Sequence, residues 1–207
     1  MIIAIDGPSA SGKGTLGRLL AAKLGLHYLD TGSLYRMVGF QAMSQNVNPM
    51  DGQACAKIAQ ALDVKAFNDA DLRGEKVGGF ASQVAALPEV RAALLKFQRD
   101  FAAQKPGAVL DGRDIGTVIC PDADYKFFIT ASVDARARRR ALESPDANFA
   151  AIKAEIAARD ARDASRSVAP LKPATDALQI DTSEMTVDEA LARVLHFIKP
   201  EIPATKS

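Results

Sequence analysis

Cysteine is scarce in this 207-residue chain: Cys55 and Cys120 stand far apart and without metal-ligand spacing. That leaves no material for a disulfide scaffold or a thiolate metal cluster, and both are expected as reduced packing residues. Histidine is equally sparse, and His27 and His196 lack partners at catalytic or metal spacing, so both read as structural. No sign of charge dominates: 26 basic residues face 25 acidic ones. Broad binding to nucleic acid or to a membrane surface, which calls for a strongly basic face, is disfavoured. Long apolar runs are missing too. Met1 to Ile5 is too short for a signal peptide or a span, so a cytoplasmic address is expected. With 48% hydrophobic and 25% charged residues, general disorder is excluded.

What is present points to an α/β fold. Met1–Asp6 reads as a buried parallel strand. A glycine-rich loop follows, then a helix over Thr15–Leu24 with Leu16, Leu19, Leu20 and Leu24 on one face, stopped by Gly25. His27–Leu29, Ala108–Leu110, Tyr125–Thr130 and Leu178–Ile180 read as further strands. A helix opens at Pro88, with Val90, Leu94, Phe97 and Phe101 on its face, and Pro106-Gly107 closes it. The last helix, Val187–Ile198, turns Val187, Leu191, Val194, Leu195 and Ile198 inward. Residues 46–81 look like an insertion outside the sheet, with turns at Asn68-Asp69-Ala70-Asp71 and Gly78-Gly79. Residues 132–168 read as an arginine- and alanine-rich helical segment, interrupted at Ser144-Pro145-Asp146. Pro200 and the polar end of the chain are expected to fray.

The loop Gly7-Pro8-Ser9-Ala10-Ser11-Gly12-Lys13-Gly14-Thr15 carries the clearest chemistry. Small residues let backbone N–H groups turn onto phosphate oxygens at a helix N-terminus, and Lys13 adds a mobile charge for the outer phosphates. A phosphate loop usually follows its lysine with Ser or Thr, which ligates magnesium. Here Gly14 intervenes before Thr15. Asp111, ending an apolar strand, is a weaker signal: it would orient water on a magnesium ion held mainly by nucleotide phosphates.

Arg159, Arg162, Asp163 and Arg166 share a helical face by spacing. They form either a solvated face balanced by Asp160 and Asp163, or a second phosphate site. Arg36, Arg91 and Arg113 also lie beside loops or helix starts, and Arg suits bidentate phosphate binding. Two phosphate systems in one α/β unit suggest phosphoryl transfer between two nucleotides, with 132–168 closing over the site to exclude water. Two rival readings stand beside it. One is a nucleotide-binding regulatory module without transfer. The other is a nucleic-acid binder using 136–140, against which near-neutral charge and the lack of interleaved aromatics count.

The loop, with Gly-Thr after its lysine, resembles that of nucleoside monophosphate kinases. Four further segments resemble bacterial cytidylate kinases: LDTGSLYR (29–36), ASQVAALPEVR (81–91), LDGRDIGTVICPDA (110–123) and ARDARDASRSVAPL (158–171). The likeness spans nearly the whole chain. It implies a five-stranded parallel sheet flanked by helices in a single domain. The core would be about 1–45, 82–131 and 169–200, the monophosphate-binding insert about 46–81, the helical lid about 132–168, and the frayed tail 201–207. It implies transfer of phosphate from ATP, with Mg2+, to CMP or dCMP. Apart from the resemblance, a monomer is expected, because no segment shows an apolar stripe beyond those the core needs, and the near-neutral charge speaks against nucleic-acid and membrane partners. A kinase preferring UMP or AMP is the nearest alternative. The resemblance assigns Gly7 to Thr15 to ATP, and Lys13, Arg113 and Arg159 to catalysis. Arg36, Arg113 and Arg159 would hold the acceptor phosphate, with Thr31, Tyr35 and Gly112 lining its pocket. Ser82, Arg91 and Asp114 would read the cytosine, whose 4-amino group suits a carboxylate. Asp163 and Arg166 would contact the sugar. The chain departs from the family in a short insert before ASQVAA, in Gly78-Gly79-Phe80 replacing a more helical stretch, and in Thr31 where serine is common.

Overall fold

The computed structural model of the chain describes residues 1–68, 70–72, 74–143 and 148–198. Asp69, Arg73, Ser144-Pro145-Asp146, Pro200 and the C-terminal tail lie outside the described residues. The expected strands all form: β1 (Ile2–Asp6), β2 (His27–Asp30), β3 (Ala108–Gly112), β4 (Tyr125–Thr130) and β5 (Leu178–Asp181). They make one parallel sheet in the order β2-β3-β1-β4-β5. Alternation along β1 explains the layering. Ile3 and Ile5 face a core shared with α1 (Lys13–Leu24) and α8 (Val187–Phe197), while Ala4 faces Leu110, Ile115 and Ile119 on the other side. Burying each such Ile or Leu contributes about 1.5–3 kcal/mol.

A second apolar cluster joins α2 (Thr31–Ser44), α3 (Gly52–Gln60), α4 (Glu75–Val84) and α5 (Pro88–Ala102) through Leu34, Val38, Cys55, Val84, Val90 and Leu94. Here the structure corrects the expected turn at Gly78-Gly79: both lie inside α4. Each glycine costs a helix about 1 kcal/mol against alanine. Packing of Val77, Ala81 and Val84 offsets this. α4 reaches α2 at backbone distance, since a Cβ on Gly39 would lie 2.8 Å from Ala81 N. Beyond the sheet, α6 (Val133–Glu143) and α7 (Phe149–Ala164) pair over the small cluster Ala137, Ile152 and Ile156.

Three helix faces also differ from the spacing. Leu19, Phe97 and Val187 are exposed, and Gly17, Gln98 and Ala190 are turned inward instead. Each apolar stripe is narrower than its leucines and phenylalanines suggest, because the neighbouring element covers only part of it. No helix among the described residues is long and apolar enough to cross a membrane.

Candidate functional site

The register of the parallel sheet lines up acids at its carboxyl edge. Asp30 pairs with Asp111, and Asp6 sits beside Gly112. The order of strands changes direction at β1, so the crevice beyond this edge is where an open α/β sheet binds ligands. The glycine loop opens into it. Gly7 has φ 156°, and a Cβ there would come within 2.1 Å of the Ile129 carbonyl oxygen. Gly12 caps α1 in the left-handed region at φ 88°. Only glycine meets both demands without strain.

The loop carbonyls are claimed from outside. Ser9 O accepts from Arg136 Nη1 at 3.2 Å, and Ser11 O accepts from Arg139 Nη1 at 3.2 Å and Thr182 Oγ1 at 3.0 Å. Arg140 Nη1 donates to Ser9 Oγ at 3.5 Å. In a trans peptide the C=O and the following N–H point opposite ways. The amide hydrogens of Ala10 and Gly12 therefore point away from these arginines. Ser11 Oγ is buried without a hydrogen-bond partner. Arg136 is itself fixed by Asp160, at 3.0 and 2.6 Å, and by the Ala131 carbonyl at 2.9 Å. Asp160 thus balances α6 and not the arginines of its own helix. The run 136–140, weighed from sequence as a nucleic-acid patch, instead sends three arginines onto the loop.

Lys13 begins α1, 3.4 Å from Pro8 O and 4.0 Å from Asp111 Oδ2. Burial pulls its ammonium below the usual lysine range, with Arg113 adding to the pull and Asp111 opposing it. Asp111 is pushed up by burial and held back by Lys13. Tyr28 Oη donates to Asp111 Oδ1 at 2.9 Å, and Thr31 Oγ1 donates to Asp111 O at 2.8 Å. A Cβ on Gly14 would meet Asp111 Oδ2 and Tyr28 Oη at 3.6 Å, which is ordinary contact. Gly14 is therefore not enforced by crowding from the protein itself. Thr15 lies on the first turn of α1 and is exposed.

Asp30 caps α2 by accepting from Ser33 N at 3.2 Å, and its Oδ2 lies 3.7 Å from Arg36 Nη1. Arg113 Nε donates to Asp163 Oδ2 at 2.8 Å, and Arg166 Nη2 donates to Asp163 Oδ1 at 2.6 Å. The expected arginine stripe is thereby corrected. α7 ends at Ala164, so Arg166 lies beyond the helix, and Arg162 is exposed. Arg159 is mostly buried and its Nε has no hydrogen-bond partner. Burial and then Arg113 push its guanidinium down to about 10, while Asp163 opposes them and Arg36 and Arg140 add to the pull. Lys13, Arg36, Arg113, Arg140 and Arg159 therefore share one neighbourhood with fewer acids, an arrangement that draws in a polyanion.

Arg91 forms a buried pair with Asp114, donates to Ala85 O at 3.2 Å and lies over the Tyr35 ring at 5.7 Å. Asp114 is pushed up by burial, with Arg91, Arg166 and Arg113 pulling it back. Ser82, one turn before Ala85, has a buried Oγ without a partner. Sequence reasoning gives no site role to Asp6, Tyr28 or Thr182, and weighs Arg136 and Arg139 only as part of a nucleic-acid patch. Asp6 directly before the loop, and the arginines at three- and four-residue spacing in α6, were the signals available for three of them.

The family model for cytidylate kinase matches residues 3–200. The cytidylate kinase of Rhodopseudomonas palustris strain BisA53 is 52% identical over 203 residues, covering 96% of each chain. That of Methylocella silvestris is 51% identical, covering 96% of this chain and 94% of its own. That of Rhodospirillum rubrum is 50% identical over 206 residues, covering 96% and 97%. Among solved structures, an uncharacterized protein from Eubacterium ventriosum matches with a TM-score of 0.56 at 15% identity, over 96% of this chain and 98% of that one. A gluconokinase from Sinorhizobium meliloti matches with a TM-score of 0.50 at 13% identity, over 94% and 89%. These structural likenesses concern the fold alone. On the family match and on half-identity over almost its whole length, this chain belongs to the cytidylate kinase family.

Proposed function

We propose that the chain transfers the γ-phosphoryl group of ATP to CMP or dCMP. The carrying observation is the buried Arg91–Asp114 pair, whose carboxylate feels Arg113, the guanidinium that Lys13 and Arg159 also feel. A phosphate oxygen of the acceptor attacks the γ-phosphorus, the bond to the β–γ bridging oxygen breaks, and ADP leaves with that oxygen's charge. The loop amides and Lys13 hold the donor phosphates. Arg36, Arg113 and Arg159 hold the acceptor phosphate in line and offset charge on the transferring oxygens. Asp163 and Arg166 meet the sugar. An ionised Asp114 only accepts hydrogen bonds, so it suits the 4-amino group of cytosine and faces the 4-carbonyl of uracil unfavourably. Ser82 offers a free hydroxyl and Arg91 orients the carboxylate. Thr31, Tyr35 and Gly112 shape the pocket wall.

Magnesium fits these residues. Among the described residues no three acidic, histidine or cysteine side chains gather as a metal cage. Magnesium on a nucleotide needs only one or two carboxylates besides phosphate and water. Asp111, with Asp30 beside it in the sheet register, would hold its water shell, and the ion would neutralise phosphate charge. We read residues 46–81 as the monophosphate-binding insert and 132–168 as the lid, within one domain. The enzyme is taken to act as a cytoplasmic monomer.

The test is coupled ADP release with ATP and magnesium, offering CMP, dCMP, UMP, AMP and GMP separately beside a control without acceptor. Release with CMP and dCMP alone is expected. Release without acceptor would refute water exclusion by the lid, and silence with every acceptor would favour a regulatory module.

A further inference from the structure

Asp114 occupies the N-cap position of a single π-helical turn, Ile115–Ile119. An aspartate at such a position ordinarily caps its own helix, accepting from the second or third amide of the turn, here Gly116 or Thr117. Asp114 does not: its side chain makes no capping bond and is committed to Arg91. The Gly116 amide that it leaves is taken, together with that of Ile115, by a residue far away in sequence. Asp6 Oδ1 accepts from Ile115 N at 2.7 Å, and Asp6 Oδ2 accepts from Gly116 N at 2.8 Å.

Asp6 is only 3% exposed and makes no ion pair among the described residues. Burial pushes its carboxyl up to about 7 against the pull of these two amides. A buried carboxylate is costly to keep, so its retention at this point needs a reason. The fit is close as well. A Cβ on Gly116 would lie 3.4 Å from Asp6 Oδ2 and 3.2 Å from Lys126 Cδ. β1 is clamped between β3 and β4, with Asp6 opposite Gly112 and Phe128, so the carboxylate is held by the most central strand of the sheet.

We propose that Asp6 is a positioning residue for acceptor specificity: it caps the turn that Asp114 would otherwise cap, and so releases the Asp114 carboxylate to pair with Arg91 and read the base. The inference rests on the cytosine reading of Asp114 given above. Asp6 directly precedes Gly7, so one rigid strand end sets both the donor loop and the base reader. Without Asp6, the freed amide of Gly116 draws the Asp114 carboxylate back to its local partner, and the Arg91 pair loosens.

The experiment is a kinetic cycle on the full chain with wild type, Asp6→Asn, Asp114→Ala and the double variant, each assayed with CMP and UMP. Asp6→Asn keeps the volume but loses one acceptor. The ratio of kcat/KM for CMP over UMP is expected to fall about tenfold, the scale of one charge-assisted hydrogen bond. The fall should come mainly through KM for CMP, with KM for ATP within about twofold of wild type. In the Asp114→Ala background, Asp6→Asn should leave the ratio unchanged. An unaltered ratio in the single variant, or a further independent fall in the double variant, would overturn the proposal. Asp6→Ser, which keeps one neutral acceptor, serves if the amide variant does not fold, and the same ratio is read. A wild type without preference for CMP would sink the cytosine reading itself. Normal preference with an additive cycle would sink only the part given to Asp6.

Discussion

Neutralising Asp163 should destabilise the protein in a way that added anions repair. Its carboxylate is 1% exposed and takes one guanidinium on each oxygen, Arg113 at 2.8 Å and Arg166 at 2.6 Å. Burial raises its carboxyl, and Arg113 and Arg166 more than reverse that, leaving it below the usual carboxylate range. Asp163→Asn keeps the shape and removes the charge. Breaking a buried pair from one side costs about 3–5 kcal/mol. The two pairs share one carboxylate, so they do not add, and roughly 3 kcal/mol is the working figure. In a chain of this size each kcal/mol lowers Tm by about 2–4 °C, which gives a fall of roughly 6–12 °C. Arg113, Arg159 and Arg166 then lose the carboxylate that lies among them. Inorganic phosphate should therefore raise the Tm of the variant more than that of wild type. Thermal denaturation at neutral pH, with and without phosphate, measures both effects. A fall under about 2 °C, or one indifferent to phosphate, would refute the argument. The pH dependence has a definite sign. A depressed carboxylate contributes stability above its unfolded pKa, and this is lost as pH falls through the lower folded value. Wild type should lose that part below about pH 4, and the variant should not.

Other perturbations reach the glycine loop and the helix that follows it. Gly17→Ala would place a Cβ 2.9 Å from Tyr28 Cε2, forcing the ring off Asp111. A loss of about 1–3 kcal/mol in urea denaturation is expected, and unchanged stability with normal activity would show that the ring yields freely. Arg136→Ala strips Ser9 O and Asp160 of their partner, and initial rates should show KM for ATP raised about tenfold with KM for CMP little changed. An equal rise for both nucleotides would mean that α6 acts on the whole site. Asp6 supplies a third test. Its folded pKa is raised, so the native state holds more protons than the unfolded one between about pH 4 and 7. Across that window its contribution should fall as pH rises, by up to roughly 1.4 kcal/mol per unit, with Asp114 and Arg113 the charged groups facing it. Urea midpoints of wild type and Asp6→Asn that run parallel with pH would contradict this.

The strands, the glycine loop and its helix were legible in the sequence, because these depend on local chemistry. Short apolar runs ending at Asp or Gly become buried parallel strands. The spacing from Gly7 to Lys13 is a backbone property of one turn. The sequence also carried the family likeness, and with it Arg91, Arg113, Asp114, Arg159, Asp163 and Arg166 as candidates. Local pattern stopped short where partners come from elsewhere. Helical spacing put Arg162 and Arg166 on one stripe with Arg159, but α7 ends between them. Two glycines in sequence read as a turn, but burial of their neighbours Val77, Ala81 and Val84 made them helix. Whether an arginine of α6 meets solvent or the Ser9 carbonyl is decided by how α6 lies on the loop. Which aspartate caps the turn after β3 was decided by sheet register, which carries Asp6 to Ile115 and Gly116 across more than half the chain. These outcomes belong to the packed molecule, because a hydrogen bond between residues distant in sequence leaves no periodicity in either segment.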